Sequence, residues 1–344
     1  SLYPFSLLFR FGTKIRSLIS IKQQSPLPVI CIGNIVVGGA GKTPVSLKIG
    51  KLLIKAGYKP HFISKGYAGL IKKSTLVQSW HSATSVGDES ILLSEVAPTW
   101  VGTDRINSSK LAKKEGGDCL IMDDGFQNPT IKKDFSIIVI NATQEFGNKR
   151  VMPSGPLRES INRGLSRTNL IISVGEISNE LKKIISENIP IIEAKFQIKK
   201  ENKNFNNQKI TAFAGIAYPD KFFQSLEEQG GKIVRKISYP DHYIYNEEDL
   251  LNLVEIANNN KTILVTTQKD FIRIPENYKT IIQIGKWIFV HAGLTMNMCS
   301  INSICKINIE WGGDFVLEYI KNEKKFILNW QSNGGDVIHL TMYG

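Results

Sequence analysis

The stretch "LPVICIGNIVVGGAGKTPVSLKIGKLLIKAG", residues 27–57, restricts this chain more than any other. A short apolar run, a glycine-rich turn ending in Lys42-Thr43 and a helical pattern over 44–57 follow in the order that lets backbone N–H groups wrap a polyphosphate. Gly38, Gly39 and Gly41 supply backbone freedom and close approach, with Ala40 between them. Lys42 can reach the β- and γ-phosphates and Thr43 can ligate Mg²⁺ through its hydroxyl. The full phosphate-loop pattern asks for glycine where Val36 stands, so a chance tight turn is the competing reading.

A phosphate loop needs an acid at the end of a nearby strand to hold Mg²⁺ or its water. "CLIMDDG" offers one, with Asp123 and Asp124 closing an apolar run. Two carboxylates side by side raise each other's pKa unless a cation stands between them. An ordinary strand-to-turn boundary rich in Asp and Gly is the alternative.

Apolar runs alternate with helical patterns almost throughout, which predicts an α/β fold with parallel sheet. Strands are expected near 28–33, 60–64, 75–79, 98–102, 118–123, 135–141 and 169–174, and helices over 44–57, 87–96, 104–115 and 177–187. The polar, asparagine-rich stretch 197–209 reads as a linker. Beyond it the alternation restarts with strands at "ITAFAGI", 232–237 and "TILVTT" and helices over 219–230 and 246–257. The expected organisation is a membrane-associating helix in 1–24, a P-loop domain in 25–196, the linker, a smaller α/β domain in 210–295 and an irregular, unassigned tail in 296–344.

The excess of bases is concentrated at one end. The first acid is Asp88, and the bases before it, Arg10 to Lys73, account for the whole formal charge of +12. Such a region suits an anionic partner: nucleotide, membrane headgroup, phosphorylated substrate or nucleic acid. Within "SLLFRFGTKIRSLIS", a helical wheel places Leu7, Leu8, Phe11, Ile15, Leu18 and Ile19 on one face, with Arg10, Thr13, Arg16, Ser17 and Ser20 on the other. Phe9 falls on the polar side. That pattern suits a helix lying in a membrane interface, or one packed on its own domain. No apolar run reaches the ~20 residues of a membrane span. Four cysteines without a CxxC pair form neither a disulfide framework nor a zinc site, and predict a reducing, cytosolic compartment.

"VICIGNIVVGGAGKTP", "ISKGYAG", "VGDES", "IMDDGFQNP", "FGNKRVMPSGPLRE", "AGIAYPDKF", "YPDHY" and "TTQKDFIRI" occur in the order and spacing of the tetraacyldisaccharide 4'-kinase family, which the chain resembles from about residue 2 to about 290. The resemblance implies a two-lobed P-loop lipid kinase with its active site between the lobes. It further implies transfer of the ATP γ-phosphoryl to the 4'-hydroxyl of an acylated disaccharide 1-phosphate, giving lipid IVA in lipid A biosynthesis. The enzyme would work as a peripheral protein on the anionic cytoplasmic face of the bacterial inner membrane. It maps a catalytic Asp-His pair onto Asp88, which alone reads as a helix cap, and His242, which alone reads as structural; Lys42, from the phosphate loop, is the third catalytic candidate.

The family's usual pattern has His where Asn128 stands, Arg at Lys65, Gly at Ala68, Ala at Ser154 and Thr at Val36, and the tail from about 296 does not resemble its usual ending. Arg158 can clamp a substrate phosphate through paired N–H donors or serve as a surface arginine. Lys65 can hold a phosphate as a point charge, and Gln127 joins these two as a substrate candidate. Lys269 and Asp270 either line the cleft or form a strand-end ion pair.

A nucleotide-dependent switch shares the loop and the strand-end acids but has no use for an Asp-His pair. Nucleic-acid binding is disfavoured, since no helix-turn-helix, zinc or RNA-binding pattern accompanies the charge.

Overall fold

The computed structural model describes residues 2–185, 187–198, 205 and 207–274, together with five strands beyond them. The first part of the chain runs α1 (Tyr3–Ile19), β1 (Val29–Gly33), α2 (Lys42–Lys55), β2 (Pro60–Ser64), β3 (Thr75–Leu76), α3 (Ala83–Val86), α4 (Asp88–Ser94), β4 (Thr99–Val101), α5 (Arg105–Lys114), β5 (Cys119–Asp123) and β6 (Phe135–Asn141). It continues through α6 (Ile161–Leu165), β7 (Leu170–Val174), α7 (Asn179–Ile184) and β8 (Ile191–Ile198). The second part runs β9 (Lys209–Ala214), α8 (Pro219–Glu228), β10 (Lys232–Ser238), α9 (Glu247–Asn259), β11 (Ile263–Thr267), α10 (Gln268–Arg273) and β12 (Trp287–Val290). β13 (Ala292–Cys299), β14 (Phe315–Ile320), β15 (Lys325–Gln331) and β16 (Val337–Tyr343) follow.

The larger sheet has nine strands in the order β13-β8-β7-β6-β1-β5-β2-β4-β3. From β8 to β4 neighbouring strands are parallel, while β13 and β3 close the edges antiparallel. A parallel sheet covered on both faces demands apolar residues on both sides of each strand, which is why β1 reads "VICIG" without alternation. Ile30 and Ile32 pack with Val45, Ile49 and Leu53 of α2 on one face. Val29 and Cys31 face the other way, towards Met122, Ile138 and Ile140.

The smaller sheet, β10-β9-β11-β12, is parallel throughout and carries α8 and α9. Ile210, Ala212 and Ala214 meet Phe222, Phe223 and Leu226 of α8, while Phe213 and Tyr245 meet Leu250 and Leu253 of α9.

Three features depart from expectation. β8 was not foreseen because "IIEAKFQI" interrupts its apolar residues with Glu193 and Lys195; it crosses the boundary expected at 197 and pairs with β13, which the chain supplies about a hundred residues later. The tail read as irregular contains β14, β15 and β16, which form an antiparallel three-stranded sheet. In α1 the residue that packs on the core is Phe9, together with buried Ser6, and the Leu7, Leu8, Phe11, Ile15, Leu18 and Ile19 stripe faces outward. Among the described residues no helix is long and apolar enough to cross a membrane.

Candidate active site

In an open parallel sheet, ligands bind beyond the carboxyl ends of the strands where the order reverses. Here that point is β1, whose neighbours β5 and β6 lie on either side. The register sets Ile32 opposite Asp123, so the loop leaving β1 begins beside the two aspartates. Gly41 caps α2 with φ of 89°, a left-handed conformation that favours glycine, and no side chain bonds the first-turn N–H groups. Those donors, with the helix dipole behind them, are arranged as a candidate site for an anion.

Side chains complete the loop. Thr43 Oγ1 donates to Asp123 Oδ2 at 3.1 Å, and Ser46 Oγ donates to Oδ1 at 2.6 Å. Burial, with the Glu89 and Asp124 charges, pushes the Asp123 carboxyl up to about 7, against the pull of the Ser46 hydroxyl and Lys42. Lys42 Nζ lies 3.7 Å from Asp124 Oδ1, which also accepts from Arg158 Nη1 at 2.9 Å. Arg158 reaches that position because its segment pairs with the chain just before the loop: Arg158 N donates to Ile35 O at 2.7 Å and Val37 N to Pro156 O at 2.8 Å.

Gln127, expected at the substrate, turns inward. Its Nε2 donates to Asn34 O at 2.7 Å and Glu159 Oε1 at 3.1 Å, and its Oε1 accepts from Arg158 at 3.3 Å. Lys65 is exposed at the end of β2, next to β5 in the sheet.

The second cluster spans the two lobes. Asp88 opens α4, almost fully buried, and His242 comes from the loop after β10. His242 Nδ1 stands 3.2 Å from Asp88 Oδ2. Burial alone would raise the Asp88 carboxyl, but the His242 hydrogen bond and the charges of Lys269 and Arg273 outweigh it and hold the group well below the usual carboxylate range. The Glu89 charge, next to Asp88 in the chain, also raises the Asp123 carboxyl, which links the Asp88–His242 contact to the strand-end acids.

A family model described as tetraacyldisaccharide-1-P 4'-kinase, LpxK, matches residues 1–303. The chain is 38% identical over 281 residues to the tetraacyldisaccharide 4'-kinase of Paramagnetospirillum magneticum, covering 81% of this chain and 86% of that one. It is 37% identical over 284 residues to the enzyme of the same name from Gluconobacter oxydans, covering 82% and 86%. The chain belongs to the tetraacyldisaccharide 4'-kinase family. Its fold is shared with LpxK of Aquifex aeolicus, solved in complex with ATP, at a TM-score of 0.69 and 22% identity over 86% of this chain and 94% of that one. A second model, of the tRNA ribose 2'-O-methyltransferase aTrm56, matches only residues 311–344.

This kinase-family member explains several of its own departures. Asn128 caps a turn, its Oδ1 accepting from Thr130 N and Oγ1, each at 2.9 Å. Val36 is buried and bridges to Leu157, which helps carry Arg158 to the loop. Ser154 bonds Ser6 of α1. Ala68 adopts φ of 60°, where the usual glycine would be unstrained. Lys269 forms ion pairs with Glu89 at 3.2 Å and Asp88 at 3.8 Å, whereas Asp270 is fully buried and accepts from Gly215 N, Tyr245 Oη and Thr267 Oγ1. Sequence reasoning passed over Ser46, although its i,i+3 spacing from Thr43 puts both hydroxyls on one helix face, and over Glu89, which adjoins Asp88.

Proposed function

We propose that the chain carries out the reaction its family is named for, transferring the γ-phosphoryl of ATP to the 4'-hydroxyl of a tetraacyldisaccharide 1-phosphate and so giving a bisphosphorylated lipid. The observation that carries this reading is the contact of His242 with Asp88 across the lobes, 3.2 Å apart beside a phosphate loop. A nucleotide switch has no use for such a pair, whereas an acceptor hydroxyl must lose its proton to a base.

Gly38, Gly39, Ala40, Gly41, Lys42 and Thr43 would bind the nucleotide phosphates. Thr43, Asp123 and Asp124 fit Mg²⁺: the Thr43 and Ser46 hydroxyls converge on the buried Asp123 carboxylate, and Asp124 follows it at the strand end. These residues would hold Mg²⁺, which would supply neutralisation of phosphate charge. With His242 Nδ1–H directed at Asp88, Nε2 is left to take the 4'-hydroxyl proton, and Asp88 stabilises the imidazolium. Arg158 and Lys65, at the same ends of the sheet, hold phosphate charge, and Lys42 draws on the group in transfer.

The membrane part of the reading rests on α1. Leu8, Phe11 and Leu18 are 67%, 64% and 73% exposed, with Arg10 and Arg16 on the same helix. Such a surface suits peripheral attachment to the anionic cytoplasmic face of the inner membrane, where an acylated substrate resides.

The test is direct. Purified full-length protein is incubated with Mg-ATP and tetraacyldisaccharide 1-phosphate in detergent micelles, and a bisphosphorylated lipid is sought. Its formation supports the reading; folded protein that yields none overturns it.

A further inference from the structure

We propose that Arg273 is a positioning residue for the Asp88–His242 pair, a single guanidinium in the small lobe that fixes both members at once. The inference rests on the reading of that pair as the base.

Arg273 closes α10, and its side chain is 2% exposed. Nε donates to Asp88 Oδ2 at 2.8 Å, and Nη2 lies 2.7 Å from the same oxygen. Nη1 turns the other way, donating to Gly215 O at 2.5 Å and to Asp270 Oδ1 at 3.3 Å. The backbone N–H of His242 donates to that same Gly215 carbonyl, at 3.2 Å. One planar group therefore holds the carboxylate of one partner and shares an acceptor with the backbone of the other.

His242 needs such support. Its φ is 61°, a left-handed conformation that an L-residue keeps only when its surroundings impose it. Gly215, at the end of β9, cannot drift: Asp270 accepts its N–H at 2.8 Å, and a Cβ built on it would meet Asp270 Oδ1 and Pro240 O at 3.1 Å and Tyr243 Cβ at 3.2 Å. The Arg273 fork thus stands on a fixed floor. Lys269 Nζ, 3.8 Å from Asp88 Oδ2, supplies charge but has no planar fork with which to grip two acceptors in opposite directions. Around it, Lys269–Glu89 and Gln268–Glu95 contacts lay α10 along α4, so Arg273 meets Asp88 inside a seam between the lobes.

A guanidinium that only filled this seam would matter for stability alone. A positioning group must also alter turnover. Full-length Arg273→Lys and Arg273→Gln are compared with wild type at a temperature where each is folded by circular dichroism. Arg273→Lys keeps the charge and loses the fork, so kcat is expected to fall by at least about tenfold with KM for ATP within about twofold of wild type, and Arg273→Gln to fall further. Because Arg273 acts through the pair, adding Arg273→Lys to Asp88→Asn should lower kcat no further than Asp88→Asn alone. If Arg273→Gln does not fold, the lysine variant and this cycle decide. Wild-type kcat in Arg273→Lys, or losses that multiply in the double variant, overturns the inference. Wild-type kcat in Asp88→Asn removes the base reading and this inference together.

Discussion

Lys42 reaches Asp124 and not Asp123: its Nζ lies 3.7 Å from Asp124 Oδ1, the oxygen that also accepts from Arg158. In this state a single carboxylate oxygen holds two cations whose proposed tasks are on phosphates. Nucleotide binding would draw Lys42 off Asp124 and free that acid for a metal. Lys42→Ala is expected to lower kcat/KM by at least tenfold, about 1.4 kcal/mol of transition-state stabilisation. Steady-state kinetics with the fold checked by circular dichroism test this, and unchanged turnover would exclude the phosphate-loop role.

Asp88 and His242 should behave as one unit. Each alanine variant is expected to cut kcat strongly with little change in ATP affinity, and the double variant to be hardly worse than either single. A four-way kinetic cycle with nucleotide binding measured separately decides the matter. Independent multiplication of the two losses would show that the residues act apart.

Acid should destabilise the protein partly through Asp88. Its carboxyl is depressed in the folded state, so it contributes stability above the ordinary carboxylate range and loses that contribution as pH falls towards the depressed value. Asp88→Asn leaves Arg273 facing a neutral amide and should cost about 3 kcal/mol at neutral pH. Melting temperature should then fall less steeply below about pH 4 in the variant than in wild type, since the variant lacks the group that titrates. Parallel curves would rule this out.

The α1 stripe faces outward and its attachment runs through Ser6 and Phe9. Phe11→Ser with Ile15→Ser is therefore expected to weaken binding to anionic liposomes while leaving the melting temperature within about a degree, because neither side chain is buried. Wild-type binding should also weaken in salt, through loss of the Arg10 and Arg16 attraction. Unfolding of the double variant would make α1 a core element instead.

Ala68 carries a backbone conformation that suits glycine, with φ of 60°. Ala68→Gly relieves the left-handed strain but adds freedom to the unfolded chain, for a net gain of up to about 1 kcal/mol. Denaturant titration checks the sign, and a loss of stability would contradict it.

Much of this candidate site is legible in the chain because its parts are local. The phosphate loop, its flanking strand and helix, and the Asp123-Asp124 strand end each fit within a few residues whose spacing is set by one turn or one strand. What stayed hidden depends on packing between distant segments. Arg273 sits in a short helix whose contacts appear only once the lobes meet, and the Gln127 amide finds Asn34 and Glu159, which are far from it in the chain. β8 pairs with a strand from far down the chain, so its interrupted hydrophobicity gave no local sign of its place. Periodicity places Phe9 on the polar side of α1, yet tertiary contact packs it against the core.

The loop from Val151 to Arg158 joins two ends of the molecule's work. Ser6 of α1 bonds Val151 O and Ser154 Oγ, while Arg158 reaches Asp124. Ser154 and Arg158 are so near in sequence that a fully extended chain would separate them by no more than about 14 Å. The loop is therefore a short tether between α1 and Arg158, the arginine proposed to hold phosphate. Were the apolar face of α1 to enter a bilayer as proposed, covalent geometry would set an upper limit on how far the Arg158 backbone can stand from its anchor at Ser154. A sugar headgroup tethered to acyl chains in that bilayer would then have to present its phosphate within that limit, and selection by reach would operate alongside selection by shape.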